Sequence, residues 1–284
     1  MDTAKLKPMK PSHIRHKLPQ YFRKIAGFIA NTGIPISPNF KHLKALDSKH
    51  LGQKAVIIGM GPSLQLTDVE ILKDVTTFAC NKIYLCFPET NWRPDYYSVN
   101  DVHVARNNQE EILNADFGKN CQTLHSCIVA NELGSHQNPI IYHYFRNFKH
   151  LQAQPKPGFT KSLQMGIRSG GCSICIDQIQ LAYLMGFSEV YLIGIDFSFD
   201  VKPQTITEES ESGKVLKSAG EQNHFHKNYR KPGEKWTVPK LEEQRQAFAQ
   251  CRTIFEASGR KLLNASRHTK LDVLEQVEFD QIFK

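Results

Sequence analysis

KAVIIGMGPSL, residues 54 to 64, joins a short apolar run to a glycine turn. Ala55, Val56, Ile57 and Ile58 stop at Gly59, Gly61 and Pro62, and Ser63 follows. A β-branched run that ends at glycine reads as a buried strand entering a loop. In open α/β sheets, ligands bind just beyond the carboxyl ends of the strands. Glycines at such an end let backbone approach a phosphate, and Ser63 offers a hydroxyl or a helix cap. The spacing is GxGPS, neither the dinucleotide GxGxxG nor the P-loop GxxxxGK[ST]. Taken alone, it also fits an ordinary strand-to-loop turn.

Outward from this stretch the same pattern recurs. Further strands are expected at 76–80, 96–99, 121–129 and 139–144, with a short helix at 67–73. The first of these strands ends at Asn81 and the next at Asn100 and Asp101. Small polar residues at successive parallel strand ends converge on one crevice. Ser169, Gly170 and Gly171 precede a helix carrying Ile174, Ile176, Ile179, Leu181, Ala182 and Met185, which Gly186 closes. A strand at 190–193 follows and ends in Gly194-Ile195-Asp196. A glycine turn opening a helix is an anion site by backbone geometry and dipole, and Arg168 lies directly before it. A helix at 239–258, a strand at 260–265 and a packed tail at 271–283 complete the body. The expected fold is α/β: a Rossmann-like, mostly parallel sheet flanked by helices, occupying 51–284.

Residues 203–222 are rich in Glu, Ser, Lys and Thr, which suggests a mobile excursion and a lid over about 200–235. It returns through NHFHKNY, residues 223–229. Residues 1–50 form a basic N-terminal extension. Within it, Tyr21, Phe22, Ile25, Phe28 and Ile29 recur at helical spacing, suiting either an amphipathic helix on an anionic membrane or one packed on the body. Residues 31–49 read as a connector.

The chain has 284 residues, enough for a full core, with 40% hydrophobic and 23% charged residues, as in soluble globular proteins. Its net charge of +8 favours anionic partners. The odd count of 7 cysteines in mostly apolar contexts suits a reducing, cytoplasmic setting, and the lone CSIC of Cys172 and Cys175 opens an apolar helix, which favours burial. No secretory leader or membrane-length apolar run is visible, and no nucleic-acid module.

VIIGMGPSL, FACNKIYL, GIDF and the downstream histidine segment resemble the bacterial CMP-sialic-acid-dependent sialyltransferases of lipooligosaccharide synthesis. PDYYSVND, QLAYLMGFSEVYLIGIDFSF, NHFHKNY and LLNASRHTKLDVLEQVEFD resemble the 6-hydroxymethylpterin diphosphokinase-like family, which includes bacterial surface-polysaccharide proteins. Together these blocks span most of 54–283. The sialyltransferase resemblance implies that Gly59, Gly61, Pro62, Ser63 and Asn81 hold the CMP portion of a donor, with Met60 standing where those enzymes prefer Asn. It also implies a general base in the histidine segment, for which His224 and then His226 are the candidates, and no metal.

The leading expectation is therefore a glycosyltransferase. It would move an acidic sugar, a sialic-acid-like nonulosonate or Kdo, from a CMP-sugar to a glycan or glycolipid acceptor, in polysaccharide or lipopolysaccharide biosynthesis. Histidine suits removal of the acceptor proton because its free pKa lies near neutrality. Tyr229, Arg168 and Lys227 are candidates to neutralise the leaving phosphate. Asp196 would orient a ribose or acceptor hydroxyl, and Asn100 and Asp101 extend the nucleotide site, with Ser169, Gly170 and Gly171 at its anion end. The alternative is a diphosphokinase passing pyrophosphate from ATP, with Mg²⁺ on Asp101 and Asp196. A third class is a binding protein without catalysis. The expected location is the cytoplasm or the inner face of the membrane, and a homo-oligomer is compatible with the sequence.

Overall fold

β1 (Lys54–Ile58) exposes Lys54 and buries Ala55, Val56, Ile57 and Ile58 completely. Burial on both faces explains why this strand is continuously apolar rather than alternating. Each isoleucine stabilises the fold by about 1.5–3 kcal/mol. The structure is a computed structural model describing residues 38–134, 138–144, 158–168, 173–199, 206–210, 213–218 and 223–284.

From β1 the chain steps outward through β2 (Thr76–Cys80), β3 (Tyr96–Ser98), β4 (Gln122–Ser126) and β5 (Ile140–Tyr142). It then crosses back to place β6 (Glu189–Ile193) on the other side of β1. Three antiparallel strands follow, β7 (Ile206–Ser210), β8 (Gly213–Lys217) and β9 (Lys235–Thr237), before β10 (Lys261–Asn264) and β11 (Glu275–Gln276) finish the main sheet. The main sheet has eight strands in the order β11-β10-β6-β1-β2-β3-β4-β5, and every pairing is parallel. The order reverses between β1 and β6, which opens a crevice at their carboxyl ends. The expected mostly parallel, helix-flanked sheet is thus the observed one.

The described helices are α1 (Pro38–Leu46), α2 (Leu66–Ile71), α3 (Val102–Asn107), α4 (Gln109–Asn114), α5 (Ala130–Leu133), α6 (Ile174–Leu184), α7 (Leu241–Ala257) and α8 (Phe279–Phe283). α6 is buried on nearly every side and packs over β1 and β2, while α7 lies beside it over β10. Both helices precede their strands, so both begin at the carboxyl edge of the sheet. Gly186 ends α6 at φ +95°, and a Cβ there would sit 3.1 Å from backbone atoms of Leu51 and Ser48. Only glycine accepts both conditions.

Two segments differ from expectation. The described part of the 31–49 connector is α1, whose Leu43 and Leu46 are buried. Asn39 pairs with the edge strand, donating through Nδ2 to Ile141 O (2.9 Å) and accepting from Ile141 N (2.8 Å) on Oδ1. Pro, Asn and Ser around the two leucines mask their helical spacing. The polar excursion is not structureless: β7, β8 and β9 form a sheet that buries Val215, Leu216 and Trp236. Its strands carry few apolar residues, so their alternation is faint. The amphipathic pattern at 21–29 lies outside the described residues. Among the described residues, no helix is long and apolar enough to cross a membrane.

Candidate active site

Three loops meet at the reversal between β1 and β6. Gly59 N donates to Ile193 O (2.8 Å) and Gly61 N to Gly194 O (2.9 Å), which presses the first loop onto the second. A Cβ at Gly59 would lie 2.3 Å from Ile195 Cδ1, and one at Gly61 would lie 1.9 Å from Asp196 Oδ2. These glycines are required by the contact between loops, before any ligand is considered. The backbone N and the Oγ of Ser63 both donate to Asp196 Oδ2 (3.2 and 2.9 Å), so Ser63 and Asp196 act as one unit. The third loop, after β10, braces the second: Ser266 Oγ accepts from Ile195 N (2.9 Å), Thr269 Oγ1 donates to Ile195 O (2.7 Å), and Lys270 N donates to Asp196 O (2.8 Å). Arg267 then clamps α2 through two bonds to the buried Asp68 (2.6 and 2.9 Å). This brace in SRHTK escaped sequence reasoning, because its polar residues read as a surface loop.

The crevice holds a cavity of about 150 Å³, smaller than the ~300–1,000 Å³ usual for small-molecule sites. Gly59, Met60, Gly61 and Asp196 line its floor, and Cys80, Asn81 and the first turn of α6 line the β2 side. Asn81 has φ +48°, a left-handed conformation that asparagine tolerates. Its backbone is held by Ser98 O on its N (3.1 Å) and by the Tyr97 hydroxyl on its O (2.6 Å), while its side-chain Oδ1 is buried without a partner. Phe197 also has a left-handed φ of +53° and packs edge-on against Phe248 on the far wall. A bulky residue in that conformation is strained, and strain of this kind collects at functional sites.

The histidine segment closes the cavity. Phe225 N donates to Met60 O (2.9 Å), which hangs residues 223–229 over the glycine loop. A turn bonds Tyr229 N to His226 O (2.9 Å) and folds the tyrosine ring under His224, with centroids 3.8 Å apart and planes 5° apart. Both rings line the cavity. His226 does not line it; its Nδ1 accepts from Asn228 N (3.2 Å) and its Nε2 lies 4.0 Å from Glu89 Oε1. Behind Tyr229, the buried Lys82 holds Glu234 at 3.0 Å and sits 5.7 Å from the tyrosine ring centre. Burial lowers the Lys82 pKa against the opposing pull of Glu234.

The structure therefore brings Gly59, Gly61, Asn81, Asp196, His224 and Tyr229 to one cavity, with Ser63 bonded to Asp196 beneath it. Pro62 and Ser63 sit in the turn that follows Gly61, and neither lines the cavity. Asn100, Asp101 and Arg168 do not line this cavity. Asp101 Oδ1 caps α3 by accepting from His103 N (2.7 Å) and Val104 N (3.1 Å). Asn100 Nδ2 donates to Asp177 Oδ2 (2.9 Å), an oxygen that also receives the hydroxyls of Tyr142 and Tyr144. Burial pushes the Asp177 carboxyl up to about 6 despite these donors. Arg168 N donates to Gln180 Oε1 (2.8 Å) on α6. Ser169, Gly170 and Gly171 lie outside the described residues. Among the described residues, no group of three or more His, Cys, Asp or Glu is arranged to hold a metal ion. Gln244 and Phe248 were missed. They share the apolar stripe of α7 with Cys251 and Phe255, and a polar residue on that stripe near the crevice was the available signal.

Fold and crevice together define a Rossmann-like α/β protein with a cavity at its topological switch point. A family model described as 6-hydroxymethylpterin diphosphokinase MptE-like matches residues 28–202, and the chain belongs to that family. No curated protein sequence matches the chain. Among solved structures, it is similar to the MAf glycosyltransferase of Magnetospirillum magneticum AMB-1 at 13% identity and TM-score 0.47, over 97% of this chain and 48% of that one. It thus spans about half the length of that enzyme. It is also similar to the sialyltransferase CstII of Campylobacter jejuni in complex with cytidine-5'-monophosphate, at 16% identity and TM-score 0.43, over 81% of this chain and 86% of that one.

Proposed function

We propose that the protein is a glycosyltransferase that takes an acidic sugar from a CMP-activated donor, with His224 as the general base. The observation that carries this reading is the His224–Tyr229 stack, lining the same cavity as the GxG floor and Asn81. The parallel stack fixes the plane of the imidazole, so one ring nitrogen can face an acceptor hydroxyl without a search for orientation. Asp196, held by Ser63, presents a carboxylate that orients a ribose or acceptor hydroxyl. The GxGPS resemblance to CMP-sialic-acid enzymes supports CMP as the leaving group. The acceptor on this reading is a bacterial surface glycan or glycolipid reached from the cytoplasmic side, and the β7–β9 sheet with the histidine segment is the lid.

The test is release of CMP from CMP-sialic acid and CMP-Kdo in the presence of lipooligosaccharide acceptors. His224→Ala should abolish turnover and leave CMP binding within a few-fold. Normal turnover in that variant would remove His224 as the base. The family description favours a second reading, Mg²⁺-dependent pyrophosphate transfer from ATP to a hydroxymethylpterin. That chemistry wants its carboxylates together. Asp101 instead caps a helix away from Asp196. Formation of AMP from ATP with a pterin acceptor would establish that reading and displace the first.

A further inference from the structure

Lys82 directly follows Asn81 at the end of β2, yet the two side chains diverge. Across the left-handed turn at Asn81 (φ +48°), Asn81 lines the cavity and Lys82 does not. The Lys82 side chain is only 3% exposed, and a lysine is almost never so buried unless it is paired. Its Nζ donates to both carboxylate oxygens of Glu234 (3.0 and 3.3 Å) and lies over the Tyr229 ring, 5.7 Å from the centre.

Both partners belong to the segment that covers the cavity. Glu234 directly precedes β9; its O accepts from Ser218 N (2.8 Å), and its Oε2 accepts from Lys231 N (2.9 Å). Tyr229 carries the His224 ring stacked on its own. A second tie joins the same segment to the body: Lys231 pairs with Glu111, which also accepts the Tyr84 hydroxyl (2.9 Å). Lys231 is 59% exposed in that pair, and exposed pairs contribute little. The buried pair is the stronger tie, because removing one partner strands a charge away from water. The backbone turn of 226–229 places the Tyr229 Cα, but backbone bonds leave the side-chain χ angles a choice of wells. A cation attracted to the ring face supplies a restraint at the ring itself.

We propose that Lys82 is a positioning residue: through Glu234 and the Tyr229 ring it holds the His224 imidazole stacked at the cavity wall. The inference rests on the reading of His224 as the base. It extends that reading to a residue whose own atoms stay out of the cavity.

NMR of the full chain tests this without any substrate, with histidine labelled at Cε1 and the His224 resonance assigned by its loss in His224→Ala. A ring stacked on tyrosine is shifted upfield by the ring current. Lys82→Met keeps most of the side chain's length and removes its charge. It should move the His224 resonance toward that of an exposed histidine, whereas Lys231→Met should leave it in place. An unmoved resonance in folded Lys82→Met overturns the inference, since the backbone turn alone would then hold the stack. Lys82→Met combined with Glu234→Gln removes the pair without stranding a carboxylate, so it covers misfolding of the single variant. The resonance should move there too, and a wild-type position in the double variant counts equally against Lys82. In the CMP-release assay both variants should lose about 10²-fold in kcat, with CMP affinity kept within a few-fold. A matching loss of CMP affinity overturns the positioning role, because the damage would then extend to the whole cavity. Wild-type kcat beside a displaced resonance removes His224 as the base and leaves the hold of Lys82 on the stack standing.

Discussion

Asn81 and Asn100 stand at the carboxyl ends of neighbouring parallel strands, yet their carboxamides have opposite fates. Asn81 leaves a buried oxygen without a partner on the wall of the cavity. Asn100 is consumed by Asp177, which also gathers the hydroxyls of Tyr142 and Tyr144 into a knot between β3, β5 and α6. Strand-end position alone therefore does not make a ligand group. The distinction lies in where the polar valence goes. An unsatisfied buried atom facing a cavity invites a ligand, whereas one closed by the protein holds elements together.

That contrast is open to direct attack, and the largest effect belongs to the open side. His224→Ala should lower turnover by about 10²–10⁴, the usual contribution of a general base, in a CMP-release assay with CMP binding kept. Next comes Gly61→Ala, whose methyl would collide with Asp196 Oδ2. It should cost about 1–3 kcal/mol of stability in urea unfolding and displace the Ser63–Asp196 pair, visible as weakened nucleotide binding. Wild-type stability and affinity in the Gly61→Ala variant would mean that the two loops do not press together as described.

The two asparagines themselves give the sharpest pair. Asn81→Gly should reduce CMP affinity by about tenfold or more while stability holds, because glycine accepts the left-handed backbone of φ +48° and no internal side-chain bond is lost. Asn100→Ala should reverse the pattern, costing about 1–3 kcal/mol of stability with little change in CMP affinity. Parallel calorimetry and denaturant melts on both variants decide it, and identical profiles would erase the distinction.

The closed side of the comparison also has a pH dependence. Asp177 is raised from 3.8 to about 6 by burial, so the folded state holds its proton more tightly than the unfolded chain does. This group's contribution makes the protein more stable as pH falls from about 6 toward 4, and the penalty is fully present above 6. The span corresponds to roughly 3 kcal/mol at about 1.4 kcal/mol per unit. Asp177→Asn should flatten that part of the stability curve between about pH 4 and 7. A curve of unchanged slope would mean that Asp177 titrates normally.

The fold was largely legible because parallel strands buried on both faces leave continuous apolar runs. Val56-Ile57-Ile58 and Val190-Tyr191-Leu192-Ile193 announce β1 and β6, and glycine marks the end of each. The switch point was not legible, since nothing local in either strand says that the chain crosses back to place β6 beside β1. Motif and strand-end logic pointed to Gly59, Gly61, Asn81, Asp196, His224 and Tyr229, which the structure brings to one cavity. Gln244 was hidden inside a helix that reads as ordinary core packing. The same strand-end logic pointed to Asn100 and Asp101, whose partners in the structure, Asp177 and the first turn of α3, are not local in the sequence pattern. The β7–β9 sheet escaped because Glu, Ser and Lys fill the alternate positions that usually betray a strand.

A CMP site at the β1–β6 reversal is tested most directly by calorimetric titration of the wild-type chain with CMP, CDP, AMP and ATP, each with and without Mg²⁺. Binding of CMP that does not depend on Mg²⁺ and exceeds that of AMP is the predicted result. Preference for ATP, gained only with Mg²⁺, or no binding of CMP at all, would contradict it.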